Sequence, residues 1–528
     1  MKTVTIVGGG IGGLTVAHEL SKKKNYNITI YERNNDIGGL ARSKRDANGC
    51  ATEYCWRVFF GFYDNLFKTF SEIKDNNESI LKYLTEYKHL NITDRPESKK
   101  DFIHSILFIL YGLTSCDKRL DKMDNLSWWN AIHILPNTSI MRTIGPWLGM
   151  DRYNGSYKSV IKVGFEMQII KSLTDNKYKD YVTTRPTSEA LFNPWKKHLE
   201  NNNVQINLNT ELHSIKIKDN EITEIEIYDN NTKVIKKIKS DYYVFNLPVE
   251  ILDKFIDKTP ELNFGDFKNI KNLKNNCLHH QLSFQVYFNK SISFGNKNAF
   301  LLIDSPWDII ILSYDKIYDK EVNICNKIPN AKGSWSIAVC TSYIPGILIK
   351  KPFDKCTYDE IITEIWAQMM NSKKLKNIIR ENNNFELNDE LVIKWSNMWD
   401  TWFLDKDGNL QTTEPKFTNN KGSWKLRPSY KTHIKNLYLS TAYIKETIDI
   451  FSMEAANIAG KIVANDINND IVKPTIRNRP ILFKIFRDID NIFYNFGLPN
   501  INISLLLIII IVIIYILIKK IKNIKKLK

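Results

Sequence analysis

The residues best suited to chemistry stand near the amino terminus. Gly8-Gly9-Gly10-Ile11-Gly12-Gly13 holds a G-x-G-x-x-G spacing through Gly8, Gly10 and Gly13, and Glu32 follows 19 positions after Gly13. Gly8 permits a tight turn, Gly10 lets backbone approach a pyrophosphate, and Gly13 lets a helix lie close to a strand. Glu32 is placed to accept hydrogen bonds from a ribose. These roles need a strand, then a turn, then a helix whose N-terminus faces phosphate with its N–H groups and positive dipole end. The chain predicts that order: a buried strand over 2–7, a helix over 14–22 and a second strand over 28–31 that ends on Glu32.

Beyond the acid come Arg33 and a second glycine pair, Gly38-Gly39, followed by Arg42. The glycines allow another close backbone approach, and Arg42 is a bidentate donor suited to phosphate oxygens. Arg57 is the one charge in an apolar run, Val58 to Phe62 following it. It either faces a cofactor or substrate mouth or pairs with an acid between lobes. Short alternating strands are expected between Val204 and Phe245, and further strands at Gln281 to Phe288 and Ser334 to Thr341. Helices are expected at Tyr358 to Met370 and from Ser452, a natural N-cap, to about Asp466. The tryptophans Trp307, Trp335, Trp395, Trp399 and Trp402 either line a hydrophobic tunnel or form plain core.

The stretch from Met1 to Phe67, with the glycine motif, Glu32, Gly38-Gly39, Arg42-Ser43 and Tyr63-Asp64-Asn65-Leu66-Phe67, resembles FAD-dependent carotenoid desaturases of the flavin amine oxidase superfamily. Phe451-Ser452-Met453-Glu454 is similar to the superfamily's closing motif. The resemblance implies non-covalent FAD held by Gly8, Gly10, Gly13, Glu32, Arg33, Gly39, Arg42, Arg57, Leu212 and Met453, with Leu212 offering backbone hydrogen bonds to the adenine. It places the Met453 helix start at the flavin pyrimidine edge, where the dipole stabilises charge on the reduced ring. One departure stands out: Thr441-Ala442 occupies the place of a Gly-Asp whose carboxylate holds the ribityl chain. The implied fold is α/β, a two-lobed FAD-binding Rossmann-like domain with an α+β substrate domain and a C-terminal transmembrane helix. Residues 1–75, 196–265 and 421–475 are expected to build the FAD domain. Residues 76–195, helical, and 266–420 are expected to build the substrate domain.

Composition adds limits. The 528 residues carry a formal charge of +16, with six lysines in the last ten residues. The remaining basic residues are dispersed and no nucleic-acid motif occurs, so a membrane surface is the more natural anionic partner. Seven cysteines with irregular spacing and no C-x-x-C pair predict a reducing compartment, with no disulfide framework and no metal site; Cys50 and Cys55 are read as ordinary thiols. Phe102 to Leu113 is strongly apolar but too short to span a bilayer; it is expected to be a buried helix, or else a surface dipping into lipid. Residues 476–500 predict an amphipathic helix with Leu482, Ile485, Phe486, Ile489, Ile492, Phe493 and Phe496 on its apolar face. Residues 501–518 are uncharged and predict a single transmembrane anchor, with 519–528 as a basic tail and the flavin domain cytosolic.

The expected activity is hydride transfer from a lipophilic, isoprenoid-like small molecule to flavin, with oxygen or a quinone as electron acceptor and no identifiable general base. A flavin amine oxidase is the alternative, for which Tyr443 with Trp424 is the available aromatic pair. A non-catalytic flavin-fold membrane protein is the third, motivated by Thr441-Ala442.

Overall fold

The computed structural model describes residues 1–503 apart from 55–56, 97–98, 134–138 and 476–480. The chain begins with β1 (Lys2–Val7), α1 (Ile11–Ser21) and β2 (Tyr26–Tyr31). It then leaves through α2 (Asp64–Glu72), β3 (His89–Ile92), α3 (Lys99–Thr114) and α4 (Asp117–Met123). It returns with β4 (Gln205–Asn207), the meander β5 (Thr210–Lys218), β6 (Glu221–Asp229) and β7 (Ile235–Ile238), then β8 (Tyr242–Phe245) and α5 (Val249–Lys258). A second excursion holds β9 (Leu282–Phe288), β10 (Ala299–Leu302), β11 (Ile309–Ser313), β12 (Gly333–Val339), α6 (Tyr358–Asn371) and β13 (Val392–Trp395). The described chain ends with β14 (Leu437–Leu439), α7 (Met453–Ile467) and α8 (Ile481–Asn495).

Strands far apart in sequence meet in one parallel sheet, in the order β4-β2-β1-β8-β14. Parallel strands covered on both faces need apolar runs, which Val4 to Val7 and Tyr243 to Phe245 supply. Against this sheet α1 crosses α7 at two glycines. A Cβ on Gly12 would lie 1.6 Å from the Ser440 carbonyl oxygen, and one on Gly460 2.6 Å from the Gly12 oxygen. The α1–α7 crossing therefore admits no larger residue at Gly460, and the segment after β14 admits none at Gly12.

The second sheet runs β13-β9-β12-β11-β10-β3, antiparallel except for β10 with β3. In β9, Leu282, Phe284, Val286 and Phe288 alternate into a core shared with Trp307, Trp335 and α6. On the opposite face Gln285 donates to the Glu53 oxygen at 3.4 Å and Tyr287 to the Ala51 oxygen at 2.8 Å. A Thr357–Glu360 capping box starts α6. Trp307, Trp335, Trp399 and Trp402 belong to this core, which decides tunnel against core for those four.

Three expectations change. Cys50 and Cys325 are joined by a disulfide across 275 positions, where unpaired thiols were expected; the pairing bridges two segments that sequence spacing does not relate. Cys55 lies outside the described residues. The 102–113 helix is not buried throughout. Gly112 packs against Ile161 and Tyr157, yet Phe102, Ile103, Ile106, Leu107 and Leu110 are exposed. In α8 the buried residues are Arg487 and Asp490, which the sequence pattern puts on the polar, outward face. Among the described residues no helix is long and apolar enough to cross a membrane. The expected span at 501–518 lies, from 504 onward, outside them, as does the basic tail.

Candidate cofactor cleft

The turn after β1 is built by its glycines. Gly8 has φ +105°, a left-handed conformation, and a Cβ there would meet the Asn246 oxygen at 2.5 Å. Gly13 is not part of the cleft wall; its missing side chain lets the Gly8 oxygen approach, and so holds α1 to β1. Gly10 is the N-cap of α1. The amide of Asn246, at the end of β8, accepts from the Gly10 N–H (3.1 Å) and donates to the Ser440 oxygen (2.9 Å) when oriented to satisfy both. Gly12 and Asn246, neither singled out in the sequence, thus tie three crossing segments together.

Glu32 is buried and accepts from the Gly9 N–H (2.7 Å) and the Asn34 N–H (2.9 Å). Burial raises its pKa above the usual carboxylate range despite these donors. The second glycine pair serves the first: Gly38 N–H donates to the Gly9 oxygen at 2.8 Å, and a Cβ on Gly39 would lie 3.4 Å from Gly10 Cα. Arg42, expected as a phosphate donor, is not itself part of the cleft lining. Its guanidinium donates to the Gly39 oxygen (2.8 Å) and to buried Glu414 (2.8 Å). Arg33 also donates to Glu414 (3.0 Å). Burial pulls the Glu414 pKa up, but the two guanidinium groups outweigh it and hold it low.

These elements wall a cleft of about 330 Å³. Its lining includes Gly8, Gly10, Glu32, Arg33, Gly39, Arg57, Leu212 and Met453. Leu212 sits in β5 immediately before a break in register with β6. Met453 opens α7, with the Ser452 hydroxyl accepting from the Ala455 N–H (3.2 Å). Arg57 donates to the Leu40 oxygen (3.2 Å) at the same wall. The sequence reading missed Glu250, whose buried Oε1 has no hydrogen-bond partner and whose pKa burial pushes up to about 7. It also missed Glu414, in a bend, and Phe417, in a two-residue strand paired with Leu278, neither of which belongs to a motif.

Glu454 does not face the cleft. Its carboxylate accepts from the N–H groups of Asn65 (3.1 Å) and Leu66 (2.9 Å), so it caps the N-terminus of α2. Burial pushes its pKa up to about 7. The Tyr63-to-Phe67 string and the Ser452-Met453-Glu454 string are therefore locked together. Tyr443 is buried in the cleft wall, donates to the Leu247 oxygen (2.8 Å) and stacks on Phe417 at 5.7 Å. Trp424 is not its partner: it lies under Lys158, 3.9 Å from the ring centre, outside the cleft lining. Thr441 and Ala442 both line the cleft and offer no carboxylate there.

Residue types and geometry fit a dinucleotide. The lining combines bare glycine backbone and a buried acid, the positive end of a helix, and apolar side chains such as Phe60, Trp147, Leu148 and Ile450. Residues 6–73 match the NAD(P)-binding Rossmann-like domain. The zeta-carotene desaturase of Solanum lycopersicum is 30% identical over 113 residues, 21% of this chain and 18% of that enzyme; the Zea mays enzyme is 34% identical over 79 residues, 15% of this chain and 14% of its own length. The matched stretch thus spans under a fifth of these relatives. Solved structures align over most of the chain. Putrescine oxidase bound to putrescine gives a TM-score of 0.57 at 12% identity, covering 88% of this chain and 98% of that one. An oxidoreductase from Methanosarcina mazei gives 0.55 at 11%, covering 87% and 99%. The chain has the mixed α/β, Rossmann-containing fold of these oxidoreductases.

Proposed function

We propose that the protein binds FAD non-covalently in this cleft and oxidises a lipophilic small molecule. The observation that carries the reading is that Glu32 and the α7 N-terminus, some 420 positions apart, line one continuous cleft. FAD supplies a two-electron acceptor of hydride, with oxygen or a quinone as the onward oxidant. Glu32 holds a ribose, the glycine turns admit the pyrophosphate, and the Leu212 backbone takes the adenine edge. The α7 N-terminus sets a positive potential where the cofactor gains negative charge. Phe60, Trp147, Leu148 and Ile450 keep water from the reacting end. Arg42 acts one step removed, holding the Gly39 turn through its carbonyl.

The Tyr443–Trp424 pair that an amine oxidase reading needs is not assembled, since Tyr443 stacks on Phe417 and Trp424 lies outside the cleft lining, and this favours a hydrocarbon-like substrate over an amine. Residues 501–518 anchor the protein in a membrane, with the flavin domain on the cytosolic side. Anaerobic mixing with polyenes and with primary or secondary amines tests the substrate class. Bleaching of the flavin band by polyenes alone is expected; bleaching by amines alone would establish the amine oxidase reading instead.

A further inference from the structure

The helix α8 is amphipathic in reverse. Its inward side carries two buried charges beside the half-buried Phe483: Arg487 donates to the Leu113 oxygen (2.9 Å) and to Glu166 (2.9 Å), and Asp490 accepts from Arg119 (3.0 Å) and the Cys116 N–H (2.7 Å). These two side chains are 4% and 0% exposed. The outward side carries Ile481, Leu482, Ile485, Ile492 and, just past the helix, Phe496, from 51% to 78% exposed. At ~100° per residue they fall within an arc of about 100°. Lys484 and Asp488 stand at its edge. The neighbouring α3 repeats the pattern with Phe102, Ile103, Ile106, Leu107 and Leu110, all at least 38% exposed.

A folded chain that leaves two adjacent apolar helix faces in water while burying charge beneath one of them is built to be covered. What covers them is indicated by where the chain goes next. After Gly497 and Pro499, the Ile501 N–H is tied to Asp490 (3.2 Å), and Ile503 is already exposed. Residues 504–518 then continue without a charge, and Lys519 to Lys528 hold six lysines. A bilayer takes all three features at once: an interfacial helix pair, a continuing apolar run and a basic flank.

We propose that the outward faces of α3 and α8 form a lipid-embedded platform, inserted into the acyl-headgroup boundary of the bilayer. The ion pairs beneath α8, with Phe483, hold that helix to the protein and leave Ile481, Leu482, Ile485 and Ile492 outward. The proposal extends the anchored reading above but does not depend on flavin, whose absorbance is read in the same samples so that the two fail separately.

The test uses the full chain reconstituted in phosphatidylcholine vesicles, with and without phosphatidylserine. Nitroxide labels are placed at Leu107→Cys and Ile485→Cys, with Ile235→Cys on the exposed β7 strand as control; label on the unsubstituted chain is subtracted. Ile492→Cys and Phe102→Cys repeat the measurement should either substitution impair folding. The expected result is a collision rate with oxygen, relative to a water-soluble nickel chelate, several-fold higher at 107 and 485 than at 235. Equal, water-like values at all three positions would overturn the proposal. So would shielding from both reagents that grows with protein concentration, because a second copy would then be the occupant.

Discussion

The helices α7 and α8 have the same length, 15 residues each, and opposite relations to the protein. In α7 the buried side is broad: Ala455, Ile458, Ala459, Gly460, Val463, Ala464 and Ile467 together with Glu454, Asn457 and Lys461, with Gly460 small enough for α1 to cross. In α8 only Arg487 and Asp490 are buried. Both sequences show helical periodicity; only the partner surface decides which stripe turns inward. The difference teaches that periodicity finds a face, whereas its destination is set by what waits opposite: the helices α1 and α2 for α7, the polar ends of α3 and α4 for α8.

The comparison can be broken most violently in α1, where it meets both α7 and the segment after β14. Gly12→Val should cost more than ~4 kcal/mol, because backbone cannot yield at the Ser440 carbonyl; chemical denaturation of the variant should show a chain unfolded or nearly so. Next in size, Asp490→Ala should cost roughly 3–5 kcal/mol by leaving Arg119 and the Cys116 N–H without that carboxylate. An unchanged denaturation midpoint would mean α8 is held by something other than its polar side.

Glu454→Gln sharpens the account of α7. It removes one of two acceptors at the start of α2 and should cost about 1–3 kcal/mol. Its pH dependence has a defined sign. Burial raises the folded pKa from 4.5 to about 7, so the fold binds more protons than the unfolded chain between those values. The stabilising contribution is complete below 4.5 and is lost as pH rises through about 7. Melting curves from pH 4 to 8 should show that fall in the unsubstituted protein and a flatter profile in the variant. Smallest of all, Ile485→Asn on the outward face of α8 should change stability by no more than ~0.5 kcal/mol. A loss of several kcal/mol in detergent-free solution would contradict its exposure.

Much of the cofactor lobe was legible in the sequence because its information is local. Gly8 needs a left-handed turn, Glu32 ends a strand, and Ser452 caps a helix; each is read within a few residues. The strands β5, β6, β8, β9 and β12 are short apolar or alternating runs with clear ends. What escaped is carried by long-range pairing. Arg42 looked like a phosphate donor because Glu414, its partner 372 positions on, bears no motif. Gly12 and Asn246 matter only once β1, β8 and the segment after β14 converge. The Cys50–Cys325 pair has no spacing rule to announce it. The reversed face of α8 lay beyond reach, and that of α3 stayed one of two open readings, because hydrophobic pattern is the same whether a face meets protein core or stays outward.

The central claim is that one cleft, from Glu32 to Met453, holds FAD. The direct measurement is the visible spectrum and FAD titration of the purified full chain beside Glu32→Ala. The account predicts a yellow protein that takes up one FAD per chain without covalent attachment. It predicts that loss of the buried acceptor weakens affinity by about tenfold to a hundredfold, the equivalent of ~1.5–3 kcal/mol. A colourless protein that binds no FAD when titrated, with Thr441 and Ala442 in place of the carboxylate, would contradict it.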